Sequence, residues 1–161
     1  GAIDPKLVCI VGGSYGGYAA LAGVALEPGV YRCAVAVSGI SDLRRFLMWK
    51  RGNLGGGRND TLRFWRRFMG VEGEDESGLD AYSPARQAAK VKAPVLLIHG
   101  KDDLVVPFEQ SQFMADALTA VGRPVELVTL SAEDHWLSRG ATRIQMLQAT
   151  VTFLEKANPP N

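Results

Sequence analysis

The chain has 161 residues, of which 47% are apolar and 22% are charged, and its formal net charge at pH 7 is +1. This length and composition are typical of one globular domain with a sizeable core, so we expect a single domain over residues 1–161. The near-zero net charge provides no general attraction to nucleic acid or to an acidic membrane surface. No apolar run reaches the roughly 18 residues of a membrane-spanning helix.

An apolar segment of strand length, Leu7–Val11, is followed by a glycine-rich turn that contains one serine. The pattern Gly12-x-Ser14-x-Gly16 is that of the sharp strand-to-helix turn of α/β-hydrolases, in which the serine is the nucleophile. Such a turn needs glycines, because side chains would collide with the adjoining strand and helix. We therefore predict that Ser14 projects from the carboxyl end of a strand and that the N–H of Tyr15 faces a developing oxyanion.

The same turn permits two other interpretations. It could be a purely structural glycine turn, or a degenerate dinucleotide-binding turn. The second is disfavoured because Ser14 replaces the middle glycine of that fingerprint and no acidic residue ends a second strand about 20 residues further on. These interpretations can be distinguished by whether the sequence also contains the other residues of a catalytic triad.

Helices and strands alternate through the rest of the chain, which predicts an α/β protein with about four parallel strands and flanking helices. A helix rich in Ala and Leu runs from Tyr15 to Leu26, and Ser83-Pro84 caps a short helix that ends at Lys90. The other strands are predicted at 31–39, 95–99 and 125–130, and the other helices of the sheet at 107–121 and 138–156. Ligands of a parallel sheet bind at the carboxyl ends of its strands.

Residues 41–83 depart from this alternation and are predicted to form a helical excursion. Its helices cover about 43–49 and 61–69, with glycine-containing loops at 52–57 and 72–78. The aromatic side chains are expected to pack while the basic ones stay in water, although the basic face could also receive a partner domain or a substrate carboxylate. Nucleic-acid binding is disfavoured because no recognised module accompanies the charge. The basic residues are Arg44, Arg45, Lys50, Arg51, Arg63, Arg66 and Arg67.

Cys9 and Cys33 both fall in predicted strands, and each lies five residues before a serine. We expect them to be buried free thiols, because cysteine packs as a small hydrophobe and a disulfide between adjacent parallel strands is geometrically awkward. The redox compartment is therefore not defined by the sequence.

The chemically suggestive residues follow strand ends in the order of an α/β-hydrolase site. Ser14 follows the first strand, Asp102 and Asp103 follow the third, and His135 follows the fourth. In this order His135 would act as the base for Ser14, and one aspartate would orient the imidazole ring. His99 lies upstream of the acid and is interpreted as a structural strand-end residue. With two histidines and no paired-cysteine motif, we expect neither a metal nor a cofactor.

These motifs together resemble the catalytic domain of the prolyl oligopeptidase family, in its acylaminoacyl-peptidase and dipeptidyl-peptidase-like branch. The resemblance extends over almost the whole chain. The segments that carry it are Gly12–Tyr18, Ser83-Pro84, His99–Pro107 and Glu133–Trp136.

The resemblance implies a triad of Ser14, Asp103 and His135, with the Tyr15 N–H as an oxyanion donor, and assigns Asp102 to the surface. It also implies that this chain is the C-terminal half of an α/β-hydrolase sheet. The N-terminal half, with a second oxyanion donor, and a β-propeller would then be missing, so the isolated piece should be poorly active. Many relatives carry Arg or Asn where this chain has Val105, so substrate anchoring must differ here.

The expected function is that of a serine peptidase that cleaves peptide substrates through an acyl-enzyme. The alternatives are an esterase or lipase with the same triad, and a catalytically silent interaction module. In the family's strand order the Ser14 strand would lie at an exposed apolar edge of this piece, which favours self-association or instability. The sequence leaves the compartment open between cytoplasm and periplasm.

Overall fold

The computed structural model describes residues 4–53, 60–71 and 75–159, and in these residues four parallel strands alternate with helices. The strands form one sheet in the order β1-β2-β3-β4. Their bounds are β1 Cys9–Gly13, β2 Cys33–Val37, β3 Val95–Gly100 and β4 Val125–Leu130. The helices are α1 Tyr15–Leu26, α2 Leu43–Asn53, α3 Asp60–Phe68, α4 Glu109–Ala120 and α5 Gly140–Ala157.

The apolar runs of β2 and β3 are buried on both faces of the sheet, as helices on both sides require. Alternate residues such as Ala36 and Leu97 pack towards α1 and α4. Their neighbours, such as Val35 and Ile98, pack towards Phe153 of α5. This arrangement confirms the predicted α/β class and brings the carboxyl ends of all four strands to one edge.

The first strand begins later than predicted. Pro5–Leu7 form a single 3₁₀ turn, because the Asp4 carboxylate caps it by accepting a hydrogen bond from the Lys6 N–H at 2.9 Å. The strand therefore occupies Cys9–Gly13 rather than Leu7–Val11. In the described residues β1 pairs only with β2, so it lies at an edge of the sheet.

The expectation of free thiols was wrong, because Cys9 and Cys33 form a disulfide. The parallel register places these two residues directly opposite each other on β1 and β2. Their Cα atoms are 4.7 Å apart, which is within the range that a disulfide spans.

The connection between β2 and β3 contains α2, α3 and two 3₁₀ helices, Ser77–Tyr82 and Pro84–Lys90. It has its own apolar cluster around Phe46 and Leu47, both fully buried. Ser83 occupies the predicted position before the second 3₁₀ helix, but the prediction that it caps this helix was wrong for its side chain, which makes no capping hydrogen bond. Its hydroxyl instead donates to the Leu79 carbonyl at 2.8 Å and accepts from the Leu43 N–H at 3.0 Å, so it joins α2 to this segment.

The predicted loops of this connection differ in part from the structure. Gly52 and Asn53 belong to α2, and Ser77 and Gly78 belong to a 3₁₀ helix. Residues 75 and 76 lie outside any helix or strand, as predicted, and the remaining predicted loop residues, 54–57 and 72–74, lie outside the described residues. Within the described ranges, no helix is long and apolar enough to cross a membrane.

The basic residues of this connection are largely neutralised within it. Arg44 pairs with Asp80 at 3.0 Å and Arg51 pairs with Glu76 at 2.9 Å. Arg63 pairs with Asp60 one turn earlier on α3. These three arginines thus meet acidic groups of the same connection at its surface. Of the aromatic rings, Phe46 is fully buried, whereas Phe64 and Phe68 are exposed, so the expectation that the aromatic side chains pack holds only in part.

Candidate active site

Ser14 occupies the sharp turn between β1 and α1. Its backbone has φ 55° and ψ −118°, a strained conformation for a residue with a side chain. The Ser14 N–H donates to the Val37 carbonyl at 2.8 Å, which ties the turn to the end of β2. The hydroxyl is consequently held at the carboxyl edge of the sheet, as the sequence predicts.

Two glycines of this turn are required by close backbone approach. A Cβ on Gly12 would lie 2.2 Å from the carbonyl oxygen of Gly16, and a Cβ on Gly17 would lie 2.8 Å from the Cα of Gly39. By contrast, no described atom lies within 4 Å of a Cβ placed on Gly16. The strand, the turn and helix α1 can therefore pack this closely only because Gly12 and Gly17 lack side chains.

Ser14, His135 and Asp103 lie in one hydrogen-bonded row. His135 Nε2 is 2.9 Å from Ser14 Oγ, and His135 Nδ1 is 2.7 Å from Asp103 Oδ2. The carboxylate accepts only, so Nδ1 carries a hydrogen; in the neutral ring Nε2 is then the acceptor for the serine hydroxyl. Asp102, the alternative acid in the sequence, is exposed, and its N–H donates to the Glu133 carbonyl at 3.0 Å.

The Asp103 carboxylate is fully buried but well supplied with donors. Oδ1 accepts hydrogen bonds from the N–H groups of Val105 at 2.8 Å and Val106 at 2.9 Å. Burial alone would raise the pKa of Asp103, but hydrogen bonds from His135, His99, Val106 and Val105 outweigh it and hold the pKa well below its ordinary value. The side chain is therefore an anion at neutral pH.

The loop that carries His135 is held by two acidic side chains. The buried Glu133 carboxylate accepts from the N–H of Asp134 and from the hydroxyl of Thr142 on α5. The Asp134 carboxylate accepts from Ser138, at 2.6 Å from its hydroxyl, and from the Trp136 N–H at 2.9 Å. No role was predicted for these carboxylates, although their position beside His135 in the sequence was a usable signal.

A cavity of about 300 Å³ opens beside the Ser14 turn. This cavity could not be predicted from the sequence, because its wall combines α1 with helices α2 and α3, which lie far from α1 in the chain. Tyr18 lines it, and the Tyr18 hydroxyl donates to the Tyr82 carbonyl at 3.2 Å. The lining residues are Tyr15, Tyr18, Ile40, Leu43, Trp65, Phe68, Met69, Leu79 and Tyr82. A cavity with this aromatic and aliphatic lining is suited to an apolar group.

Val105, the position at which this chain departs from many relatives, is tied to α2 instead of carrying a polar side chain. The Lys50 ammonium group donates to the Val105 carbonyl at 3.0 Å. Burial lowers the pKa of Lys50, and the negative charge of Asp103 opposes that effect. One basic residue of the α2–α3 region thus reaches the loop of the acid.

A parallel sheet with Ser14, Asp103 and His135 at its carboxyl edge, in that chain order, belongs to the α/β-hydrolase class, here as a partial sheet. The sequence also matches the profile of the Prolyl oligopeptidase family over residues 1–159. The chain therefore belongs to the prolyl oligopeptidase family.

Individual relatives agree with this assignment. The chain is 30% identical to dipeptidyl aminopeptidase BIII of Pseudoxanthomonas mexicana over 156 residues, which covers 91% of this chain and 21% of that protein. A puromycin-hydrolysing peptidase of Mycobacterium tuberculosis superimposes with a TM-score of 0.80 at 30% identity, covering 98% of this chain and 23% of that one. The acylaminoacyl peptidase of Pyrococcus horikoshii shares the fold, with a TM-score of 0.77 at 24% identity, covering 98% of this chain and 25% of that one. The chain thus spans about a fifth to a quarter of the length of these relatives.

Proposed function

We propose that this chain is the part of a serine peptidase that carries its nucleophile, base and acid. The observation that supports this most directly is the row from Ser14 Oγ through His135 to the buried Asp103 carboxylate, with contacts of 2.9 and 2.7 Å. These distances are within hydrogen-bond reach, as nucleophile activation requires.

In the proposed reaction Ser14 Oγ attacks the carbonyl carbon of the scissile bond while His135 Nε2 takes the hydroxyl proton. The tetrahedral intermediate places a negative charge on the former carbonyl oxygen. Tyr15 begins helix α1, where the N–H groups have no acceptor within the helix, so its N–H can donate to that oxygen. Collapse breaks the C–N bond, the amine leaves with the proton from Nε2, and water then hydrolyses the acyl-enzyme by the same steps.

Asp103 stabilises this cycle by charge and position. Because its pKa is held low, it remains ionised beside the imidazolium that forms when His135 takes the proton. Its Oδ2 also fixes the ring so that Nε2 points at Ser14. The side chain does not need to accept a proton during the reaction.

The aromatic cavity favours substrates with an apolar residue on the acyl side of the scissile bond. Tyr15 directly follows the nucleophile and lines the cavity, so a group bound there would be adjacent to the carbonyl under attack. Peptides are the proposed substrate class because the matched relatives are described as peptidases.

The test is mass spectrometry of the chain after incubation with a fluorophosphonate, with Ser14→Ala as control. One adduct on Ser14, absent from the variant, is expected if Ser14 and His135 are preorganised. An unmodified mass for the folded wild-type sequence, both alone and within the longer protein that the resemblance implies, would contradict the proposed nucleophile and favour the interaction-module alternative.

A matched pair of variants tests the assignment of the acid. Asp103→Asn should slow labelling of Ser14 by up to about 10⁴-fold, because a neutral amide favours the wrong imidazole tautomer. Asp102→Asn changes the exposed neighbour in the same way and should leave the rate unchanged. Equal effects of the two substitutions would contradict the assignment of Asp103.

Aminoacyl anilides and short esters with the same acyl group separate the peptidase from the esterase alternative. Because the isolated chain is expected to be poorly active, the comparison is made in the longer protein that the resemblance implies. There the peptidase proposal predicts a measurable kcat/KM on the anilide that is abolished by Ser14→Ala. Turnover of the ester alone would favour an esterase.

A further inference from the structure

The second histidine of the chain, His99, lies directly behind the Asp103 carboxylate. Its side chain is fully buried near the end of β3. Nε2 lies 2.9 Å from the Val106 carbonyl oxygen and 3.4 Å from Asp103 Oδ2, and Nδ1 lies 2.7 Å from the Ser111 hydroxyl. The proposed acid is thus located between two imidazole rings.

The partners of His99 define which nitrogen carries the hydrogen. The Val106 carbonyl and the Asp103 carboxylate can only accept, so Nε2 must be the donor. In the neutral ring Nδ1 then accepts from the Ser111 hydroxyl, which is 2% exposed at the start of α4. The ring also packs edge-to-face on Phe108, with centroids 5.7 Å apart. Its orientation is therefore fixed from three sides.

His99 closes a small ring of hydrogen bonds around the acid. Its Nε2–H holds the Val106 carbonyl, while the N–H of the same Val106 donates to Asp103 Oδ1 at 2.9 Å. In the turn that follows Asp103, both the N–H and the carbonyl of Val106 are therefore held by hydrogen bonds. With Oδ1 engaged by the backbone, Oδ2 is presented to His135.

We propose that His99 is a positioning residue for the Ser14–His135–Asp103 site, which holds the carboxylate so that Oδ2 faces His135 Nδ1. His99 itself touches neither Ser14 nor a substrate. The simpler interpretation, a histidine that only fills the end of β3, does not account for a donor aimed at the acid and at the turn that fixes it. The inference rests on the proposed function for its catalytic meaning.

Two variants test whether the Nε2–H donor of His99 positions Asp103. His99→Leu removes both ring nitrogens, whereas His99→Gln retains a side-chain N–H at a reach comparable to that of Nε2. Ser83→Ala is the matched structural control, because it removes a buried hydroxyl whose hydrogen bonds are to the backbone of Leu79 and Leu43 and not to Ser14, His135 or Asp103.

The first measurement is the low-field proton NMR resonance of the hydrogen shared by His135 Nδ1 and Asp103. The chain has only two histidines, so in the His99 variants every imidazole signal comes from His135. We expect His99→Leu to lose or broaden this resonance through exchange with water. His99→Gln should restore it, and Ser83→Ala should leave it unchanged even where its melting temperature falls.

The second measurement is the rate at which a fluorophosphonate labels Ser14. His99→Leu should slow labelling at least about tenfold, as expected for losing a hydrogen bond to a charged group, and His99→Gln should recover most of it. A folded His99→Leu chain with the wild-type resonance and rate would overturn the proposal. If His99→Leu does not fold, His99→Asn takes its place, because its shorter amide reaches only as far as Nδ1 and so also lacks the Nε2 donor. An unaltered resonance in the folded His99→Asn variant would overturn the proposal as well.

The two measurements separate this inference from the proposed function. Failure of the wild-type chain to label Ser14 would count against the proposed function alone. The NMR comparison would still show whether His99 positions Asp103.

Discussion

At the scale of single residues, the candidate site depends on a carboxylate that is buried and yet ionised. Asp103 retains its charge because backbone N–H groups and two imidazole rings replace the lost water. Such a group stabilises the folded chain only while it is ionised. The site therefore adds a dependence on pH to the stability of the fold.

We expect acid to destabilise the wild-type chain more than Asp103→Asn. The pKa of Asp103 is lowered in the folded state, so its contribution is present above the unfolded value of about 4 and is lost as the pH falls below it. Urea unfolding at pH 7, 5, 4 and 3 should show an extra loss of unfolding free energy in the wild type that reaches about 1 kcal/mol at pH 3, with the remainder lost as the pH falls towards the lowered pKa of the folded state. Parallel pH profiles for the two proteins would contradict this expectation.

At the scale of elements, the strand-to-helix turn is built on backbone contacts that no side chain can enter. Gly12 and Gly16 belong to the same motif, but only Gly12 faces another backbone atom at 2.2 Å from its hypothetical Cβ. The motif letters alone do not distinguish these two glycines. Their structural surroundings do.

Alanine substitutions should separate the two positions. Gly12→Ala should lower the free energy of unfolding by about 1–3 kcal/mol or more, because β1 and α1 must move apart, and it should slow labelling of Ser14. Gly16→Ala, in an open position within α1, should be neutral or slightly stabilising, since Ala is the better helix former by up to about 1 kcal/mol. The melting temperatures of both variants are compared with that of the wild type. A similar decrease for Gly12→Ala and Gly16→Ala would contradict the prediction.

Helix α3 contains two phenylalanines that can serve as test and control positions for substrate binding in the cavity. Phe68 lines it, whereas Phe64, one turn earlier and similarly exposed, does not. Phe68→Ala should reduce kcat/KM roughly tenfold for substrates with an aromatic residue on the acyl side, the effect expected for a lost apolar contact. Phe64→Ala should have a much smaller effect, and equal effects would argue that the cavity is not the binding site.

The sequence predicts features that local chemistry determines. The order of strands and helices and the turn around Ser14 follow from periodicity and glycine spacing within a few residues. The equal spacing of Cys9 and Cys33 from the two serines already indicated neighbouring positions on adjacent strands, and the prediction failed because a disulfide there was taken to be geometrically awkward. The cavity, by contrast, depended on contacts between α1 and α3, and the proposed role of His99 on a hydroxyl in α4. These features join segments far apart in the chain, and a single sequence does not reveal them.

At the scale of the whole molecule, β1 carries the proposed nucleophile and forms an edge of the sheet. Val11 on this strand is 50% exposed. Unpaired backbone groups next to an exposed apolar side chain favour pairing with another chain. We therefore retain self-association through this edge as a proposal.

Sedimentation velocity over a range of protein concentrations tests whether the chain self-associates through the edge strand β1. The wild-type chain should sediment partly as a larger species, and Val11→Lys should shift it towards the monomer, because charged side chains oppose strand pairing. Val30→Lys, at a similarly exposed valine outside the strand, is the control and should not change the distribution. A monodisperse wild-type monomer would contradict the proposal.

The disulfide has a mechanical consequence. It joins residues 24 positions apart, and the segment between them contains most of β1, the Ser14 turn and all of α1. A force that pulls on the two ends of the chain passes through the sulfur bridge and bypasses this segment, withholding about 80 Å of extended length. While the bond is intact, the proposed nucleophile lies outside the path of the load, and only reduction would expose its turn to tension.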